Sequence, residues 1–181
     1  MREPGFAVWI TGLPASGKST LAAALARALE ALGIDAAVLE SDALRKVFTP
    51  NARYDDGERD VFYASLAHVG EILTRHGVPV IFDATANRRA FRDRARKAIP
   101  KFLEVHVSCP LAVCVARDPK GIYRRGYRGD AAGVPGLQAD YEPPLHPDVE
   151  VRGDRELPEE AARRVVDALR EKRYLALPAA G

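Results

Sequence analysis

The octapeptide Gly12-Leu13-Pro14-Ala15-Ser16-Gly17-Lys18-Ser19 constrains this chain more than any other segment, because it sets a glycine-rich turn between two runs of different periodicity. Upstream, Phe6-Ala7-Val8-Trp9-Ile10-Thr11 is almost continuously apolar, as a strand buried on both faces reads. Downstream, Leu21, Leu25, Leu29 and Leu32 recur at helical spacing among alanines until Gly33, a residue that ends helices. A turn of this kind aims backbone N–H groups and a helix N-terminus at one point, where an anion is stabilised.

The rest of the chain repeats that alternation. Ala36 to Glu40 is a second strand, after which Ser41-Asp42 sits where the chain leaves the sheet. Glu58 to His76 carries Val61, Phe62, Leu66, Val69, Ile72 and Leu73 at helical spacing and closes at Gly77. Val78 to Phe82 reads as a strand ending in Asp83, and Arg88 to Ile99 as a helix with arginines on its outer side, stopped by Pro100. Phe102 to Val107 is a fourth strand, Val149-Glu150-Val151 a fifth, and Pro158 opens a last helix running to about Tyr174. Strands alternating with helices predict an α/β domain with a parallel sheet covered on both faces, one domain over residues 1–181. Asp118 to Pro147 breaks the pattern: it is rich in Gly, Pro and Arg and lacks periodicity, so a lid is expected over about 117–147.

The pattern G-x-x-x-x-G-K-[ST] between strand and helix predicts a cradle for the phosphates of ATP, formed by Gly12, Leu13, Pro14, Ala15, Ser16, Gly17, Lys18, Ser19 and Thr20. Lys18 is expected to reach the β- and γ-phosphates and the Ser19 hydroxyl to hold Mg²⁺. Phosphoryl transfer also needs a group that orients or deprotonates the attacking hydroxyl. Asp42 and Arg45, three residues apart just past the second strand, fit: Asp42 as base or metal ligand, Arg45 on the acceptor or the γ-phosphoryl. Asp83, closing an apolar strand, fits a second carboxylate for the metal, and equally a turn or cap. In the lid, Arg117, Lys120, Arg124, Arg125 and Arg128 concentrate charge where a closing loop meets phosphates; Arg117 is assigned to ATP, Lys120 and Arg124 to the acceptor.

Charge does not announce a polyanionic partner, since 27 Lys and Arg stand against 25 Asp and Glu. Cys109 and Cys114 have no second pair to complete a zinc site, so buried free thiols and a cytoplasmic setting are expected. His68, His76, His106 and His146 form no metal-like cluster. No apolar run has the length of a membrane span, and Met1-Arg2-Glu3-Pro4-Gly5 lacks the makings of a signal peptide.

From the glycine-rich turn to about Asp148 the chain resembles the adenylylsulfate kinase family, on three stretches: the turn itself, Arg92-Asp93-Arg94-Ala95-Arg96, and Ala116-Arg117-Asp118-Pro119-Lys120-Gly121-Ile122-Tyr123. Gly136-Leu137 through Asp140-Tyr141-Glu142-Pro143-Pro144 adds to the likeness. The resemblance implies a P-loop NTPase/kinase fold, a five-stranded parallel sheet flanked by helices with a basic lid. It implies transfer of phosphate from ATP to the 3′-hydroxyl of adenosine 5′-phosphosulfate (APS), giving PAPS for sulfate assimilation, with Mg²⁺ as cofactor. A homodimer is the expected assembly. Arg45 and Arg59 stand where the family engages APS, and Tyr54 takes the place of an upstream aromatic.

The acceptor motifs depart from the family. Ala43 and Phe62 replace asparagines, Ala84-Thr85-Ala86-Asn87 replaces F-I-S-P, and Val134 replaces the aromatic that stacks on the substrate adenine. Asp42-Ala43-Leu44-Arg45 and Asp83-Ala84-Thr85-Ala86-Asn87 also resemble motifs of polynucleotide 5′-hydroxyl kinases, whose nucleic-acid partner the arginines at 88, 89, 92, 94 and 96 would assist. A solvated helix face explains the same arginines. A nucleotide binder without catalysis is a third reading.

Overall fold

The computed structural model describes residues 3–175; Met1 and Arg2, on which the reading of the start partly rests, lie outside them. Five strands, β1 (Ala7–Thr11), β2 (Ala37–Glu40), β3 (Val80–Asp83), β4 (Phe102–Ser108) and β5 (Val149–Arg152), form one sheet in the order β2-β3-β1-β4-β5. Every pairing is parallel, with Ala7 opposite both Val80 and Phe102. The helices are α1 (Lys18–Glu30), α2 (Ser41–Phe48), α3 (Asp56–Arg75), α4 (Arg89–Ala98), α5 (Leu111–Arg117), α6 (Ile122–Arg128) and α7 (Pro158–Glu171).

The continuous apolar run of β1 has a simple cause: all five of its residues are fully buried, and alternate side chains feed opposite layers. Val8 and Ile10 pack with Leu21, Leu25 and Leu29 of α1 and Val165 and Leu169 of α7. Ala7 and Trp9 pack on the other face with Phe62 and Leu66 of α3, Phe91 of α4, Phe82 and Phe102. Each such side chain contributes about 1.5–3 kcal/mol by leaving water. The Trp9 ring stacks on Phe82 at 4.4 Å, and its Nε1 donates to the Ala84 carbonyl at 3.1 Å, so the second layer is anchored where β3 ends. Helix α3 approaches that layer through Gly70, where a Cβ would stand 2.1 Å from Cζ of Phe82.

The sheet order reverses at β1, so β3 and β4 depart to either side and leave a crevice at the carboxyl ends of the strands. The turn after β1, the start of α2 after β2, and Asp83 at the end of β3 all open there.

Several elements differ from the sequence expectation. Helix α3 starts at Asp56, two residues early, because Asp55 caps it by accepting from the Glu58 N–H at 2.8 Å. Strand β3 starts after Pro79, and α7 ends at Glu171 rather than near Tyr174. The segment after β2 is the helix α2, which begins directly at Ser41 and carries Asp42 and Arg45. The presumed lid also holds regular structure: α6 lies inside it, and its seven residues are too few for a period to show. Tyr123, Cys114 and Val134 form a small third core there, with Leu13 and Leu137 packed against it. Among the described residues no helix is long and apolar enough to cross a membrane.

Candidate active site

The β1–α1 turn wraps a concave floor. At Gly12 a Cβ would lie 2.6 Å from the Val107 carbonyl oxygen and 2.7 Å from Ser16 Oγ, so no side chain fits. Lys18, at the first position of α1, is 9% exposed and donates from Nζ to the Leu13 carbonyl at 2.8 Å. Burial pulls its pKa down to about 8, against the opposing pull of the Asp83 and Asp42 carboxylates. Ser16 Oγ is buried without a hydrogen-bond partner in the same turn. A buried ammonium short of counter-charge beside an idle hydroxyl is a site built for an anion.

That floor opens into a cavity of about 540 Å³ that also touches Asp42, Asp83, Arg117 and Lys120, with Val151, Gly153 and Pro158 on its far wall. Arg117, at the end of α5, donates to the Gly153 carbonyl at 2.9 Å and so spans from the lid root to the β5–α7 turn. Ser19, Thr20 and Asp83 lie in this cavity as well, the last only 5% exposed.

A second cavity of about 900 Å³ lies beyond α2. Arg45, Tyr54 and Arg59 line it, together with Tyr63, Asn87 and Val134. Asp42, Thr85 and Lys120 border both cavities. Lys120 Nζ meets Asp42 Oδ2 at 2.7 Å and Glu40 at 3.8 Å, which raises the lysine's pKa. Both partners are half exposed, so the pair is worth at most about 1 kcal/mol and holds the lid lightly.

The cations of the second cavity are set by aromatic and carboxylate neighbours. The Arg45 guanidinium lies 3.8 Å from the Phe62 ring centre and 5.0 Å from that of Tyr54, and its NH1 meets Glu58 at 3.2 Å. Glu58 also accepts from the Arg53 and Tyr54 N–H groups at 2.7 and 3.2 Å, which holds Tyr54 at a left-handed φ of 59°. Arg59 donates to the Gly133 carbonyl, joining α3 to the lid. Arg124 lines neither cavity; its backbone N–H is held by Asp118 at 2.9 Å, while Arg125 takes a place on the second cavity's wall.

Sequence reasoning missed a buried knot beneath this wall. Arg92 was expected on the outer side of its helix, yet it is 1% exposed. Its Nε donates to Glu104 of β4 at 2.7 Å, and its other nitrogens donate to the carbonyls of Ala86 and Glu142. Ala86, at φ 40°, is thereby held between Arg92 and the Tyr63 hydroxyl, which accepts from its N–H at 3.1 Å. Thr11 Oγ1 donates to the Thr85 carbonyl at 2.6 Å. Glu142 in turn accepts from the Arg89 N–H at 2.8 Å and donates its own N–H to the Asn87 carbonyl at 2.7 Å. The other arginines of α4 and its start are also partnered: Arg88 with Asp56, Arg94 with Asp60, Arg96 with Glu104, and Arg89 with Glu142 at 3.9 Å. They are not a free basic face for a nucleic acid.

Among the described residues no three His, Cys, Asp or Glu gather as a metal cluster. Ser19, Asp42 and Asp83 nevertheless share one cavity and offer hard oxygen donors, which fits a cation such as Mg²⁺ that takes few protein ligands and completes its shell with phosphate and water. Cys109 and Cys114 are free, and burial pushes the Cys114 thiol up to about 12, so it is an inert core group.

The chain is similar in sequence and fold to known proteins. An adenylyl-sulfate kinase of Rippkaea orientalis is 37% identical over 180 residues, covering 99% of each chain, and a probable adenylyl-sulfate kinase of Pyrococcus abyssi is 37% identical over 94% of this chain and 98% of its own. The structure of the Mycobacterium tuberculosis APS kinase CysC in complex with AMPPNP and APS superposes with a TM-score of 0.86 at 34% identity, over 92% of this chain and 98% of that one. The sequence profile described as Adenylylsulphate kinase matches residues 4–152, and the chain belongs to that family.

Proposed function

We propose that this chain transfers the γ-phosphoryl group of ATP to the 3′-hydroxyl of APS, giving PAPS and ADP. The observation that carries this reading is the pair of cavities that meet at Asp42, Thr85 and Lys120, one floored by the phosphate cradle and one lined by Arg45, Arg59 and Tyr54. Two substrates seated on either side of that border bring hydroxyl and phosphoryl together without a covalent enzyme intermediate.

In the first cavity the amides of the β1–α1 turn and Lys18 hold the phosphates, and phosphate charge restores the full protonation that burial erodes at Lys18. Arg117 covers the nucleotide end of the same cavity. Ser19 and Asp83 would hold Mg²⁺, which offsets charge on the β- and γ-phosphates. Asp42, at the border, takes the proton of the 3′-hydroxyl as its oxygen bonds to the γ-phosphorus and the bond to the β-phosphate oxygen breaks. Lys120 holds the Asp42 carboxylate in place and adds charge where the transferring group passes.

In the second cavity Arg45 and Arg59 engage the anionic phosphosulfate end, and Tyr54 supplies one stacking face for adenine. Val134, 3% exposed, offers an apolar wall where a second ring would stack, and Tyr127 lines neither cavity. A lost stacking face costs about 1 kcal/mol, so APS is held several-fold more weakly than by a two-faced clamp. Residues 117–147 act as the lid: Lys120 reaches Asp42, the Tyr123 hydroxyl donates to the Pro14 carbonyl at 2.9 Å, and Gly133 receives Arg59.

The test is formation of PAPS from APS and ATP–Mg²⁺ beside a 5′-hydroxyl oligonucleotide at matched concentration. PAPS without phosphorylated oligonucleotide is the expected result; the reverse refutes the proposal.

A further inference from the structure

Past β3, Thr85 and Asn87 line the second cavity on either side of the buried Ala86, and Asn87 stands where the F-I-S-P pattern has its proline. Asn87 is 5% exposed and its Nδ2 donates to the Asp140 carbonyl at 2.9 Å. That bond fixes the amide orientation, because only the NH₂ end can donate to a carbonyl. Oδ1 is therefore the remaining polar atom. Among the described residues no donor reaches it, and it is not among the buried atoms sealed off without a partner. An idle amide oxygen on a cavity wall is met by water in the empty site and by a donor in the filled one.

The backbone beneath Asn87 is held rigid. Ala86 is clamped at both its N–H and its carbonyl, by Tyr63 and Arg92, and the Asn87 carbonyl accepts from Glu142 at 2.7 Å. Such a side chain presents its oxygen at one place and loses little entropy when a ligand meets it. The guanidinium groups across the cavity, Arg45 and Arg59, donate and cannot accept, so they serve the anionic part of a ligand and leave its neutral donors unmet.

We infer that Asn87 is a specificity-determining residue for the acceptor: its Oδ1 accepts a hydrogen bond from a neutral donor of the nucleoside portion of APS, the ribose 2′-hydroxyl or the adenine 6-amino group. Proline offers no such side-chain oxygen. The inference rests on APS as the acceptor, so its test reads binding rather than turnover. APS is titrated calorimetrically into the full chain saturated with AMPPNP–Mg²⁺, for the native protein and for Asn87→Ala, and the titration is repeated with 2′-deoxy-APS and with the analogue whose purine lacks the 6-amino group.

Loss of one neutral hydrogen bond should weaken APS in the variant by about tenfold. AMPPNP binding should stay unchanged, and the melting temperature should fall by only about 2–4 °C for the lost bond to the Asp140 carbonyl. One analogue should bind native protein and variant alike, because the donor it lacks is the one Asn87 meets. Equal weakening of all three ligands in the variant overturns the inference and makes Asn87 a structural brace for Asp140. No weakening with APS overturns it as well. If Asn87→Ala does not fold, Asn87→Ser carries the same comparison. Native protein that binds APS yet forms no PAPS refutes the transfer reading and leaves the Asn87 contact to be judged by the titrations; native protein that binds no APS refutes both.

Discussion

Replacing Arg92 by methionine tests the structural reasoning where it is most exposed. The substitution keeps the volume of the aliphatic stem and removes the buried cation. It strips Glu104 of one of its two arginine partners, leaving Arg96 at 2.6 Å, and it leaves the carbonyls of Ala86 and Glu142 without a donor. Breaking a buried ion pair by deleting one partner costs about 3–5 kcal/mol. The retained Arg96 puts the expected loss toward the lower end. For a chain of this size each kcal/mol moves the melting temperature by about 2–4 °C, so the fall should be about 10 °C. The damage is directed as well. Ala86 has no reason to stay at φ 40° once its carbonyl is released, and relaxation there moves Thr85 and Asn87 on the acceptor wall while the β1–α1 turn is untouched. Thermal melting followed by circular dichroism, beside the Kd for AMPPNP and the KM for APS, reads both effects. A fall of less than about 2 °C, corresponding to under about 1 kcal/mol, would refute the claim that this cation is structural. Equal loss of AMPPNP and APS affinity would refute the claim that it serves the acceptor side.

Lys18→Ala should abolish turnover, by at least about a hundredfold, while the melting temperature holds or rises slightly, because a buried ammonium is removed; activity assays and melting curves check it. Asp42→Asn should lower kcat by about 10²–10⁴ with ATP affinity nearly unchanged, read by steady-state rates beside nucleotide titration. Gly70→Ala should destabilise by about 1–3 kcal/mol despite alanine's higher helix propensity, because Phe82 is fully buried and stacked on Trp9 and cannot yield to a Cβ at 2.1 Å; denaturant unfolding measures it.

How much of this was legible in the sequence depended on how local each cause is. The cradle reads directly because eight consecutive residues carry both its shape and its chemistry, and the flanking strand and helix are long enough to show a period. Strands β1 and β3 were legible because burial on both faces leaves no alternation to confuse with a helix, while β5 alternates buried valines with exposed Glu150 and Arg152 and β2 is only half-buried. Helices α5 and α6 were not, since seven residues present fewer than two complete turns of pattern, and α6 is further broken up by its arginines and Gly126. One sign was present and passed over: Asp55-Asp56-Gly57-Glu58 has the spacing of a capping box, which would have placed the start of α3 and flagged Glu58 as the residue that holds Tyr54.

The acceptor half is assembled rather than written. Its wall joins the end of β3, the first turns of α2 and α3, and the lid near Gly133, and its rigidity comes from Glu104 on β4 acting through Arg92. In sequence, Arg92 sits among Arg88, Arg89, Arg94 and Arg96, and composition cannot say which of five arginines turns inward. Helical geometry narrows the choice: Phe91 and Ala95 face the core, so Arg92 and Arg96, each one residue along, share the edge of that stripe and both reach Glu104, whereas Arg94 reaches Asp60 at the surface. A cation placed at the edge of an apolar stripe needs a buried acid, and Glu104, buried between Leu103 and Val105 in β4, is the matching oddity. Each residue alone reads as a surface charge misplaced by one position. Taken together, an out-of-pattern arginine on a helix and an out-of-pattern glutamate on the strand that follows it predict each other, and the loop before that helix is where their shared purpose shows.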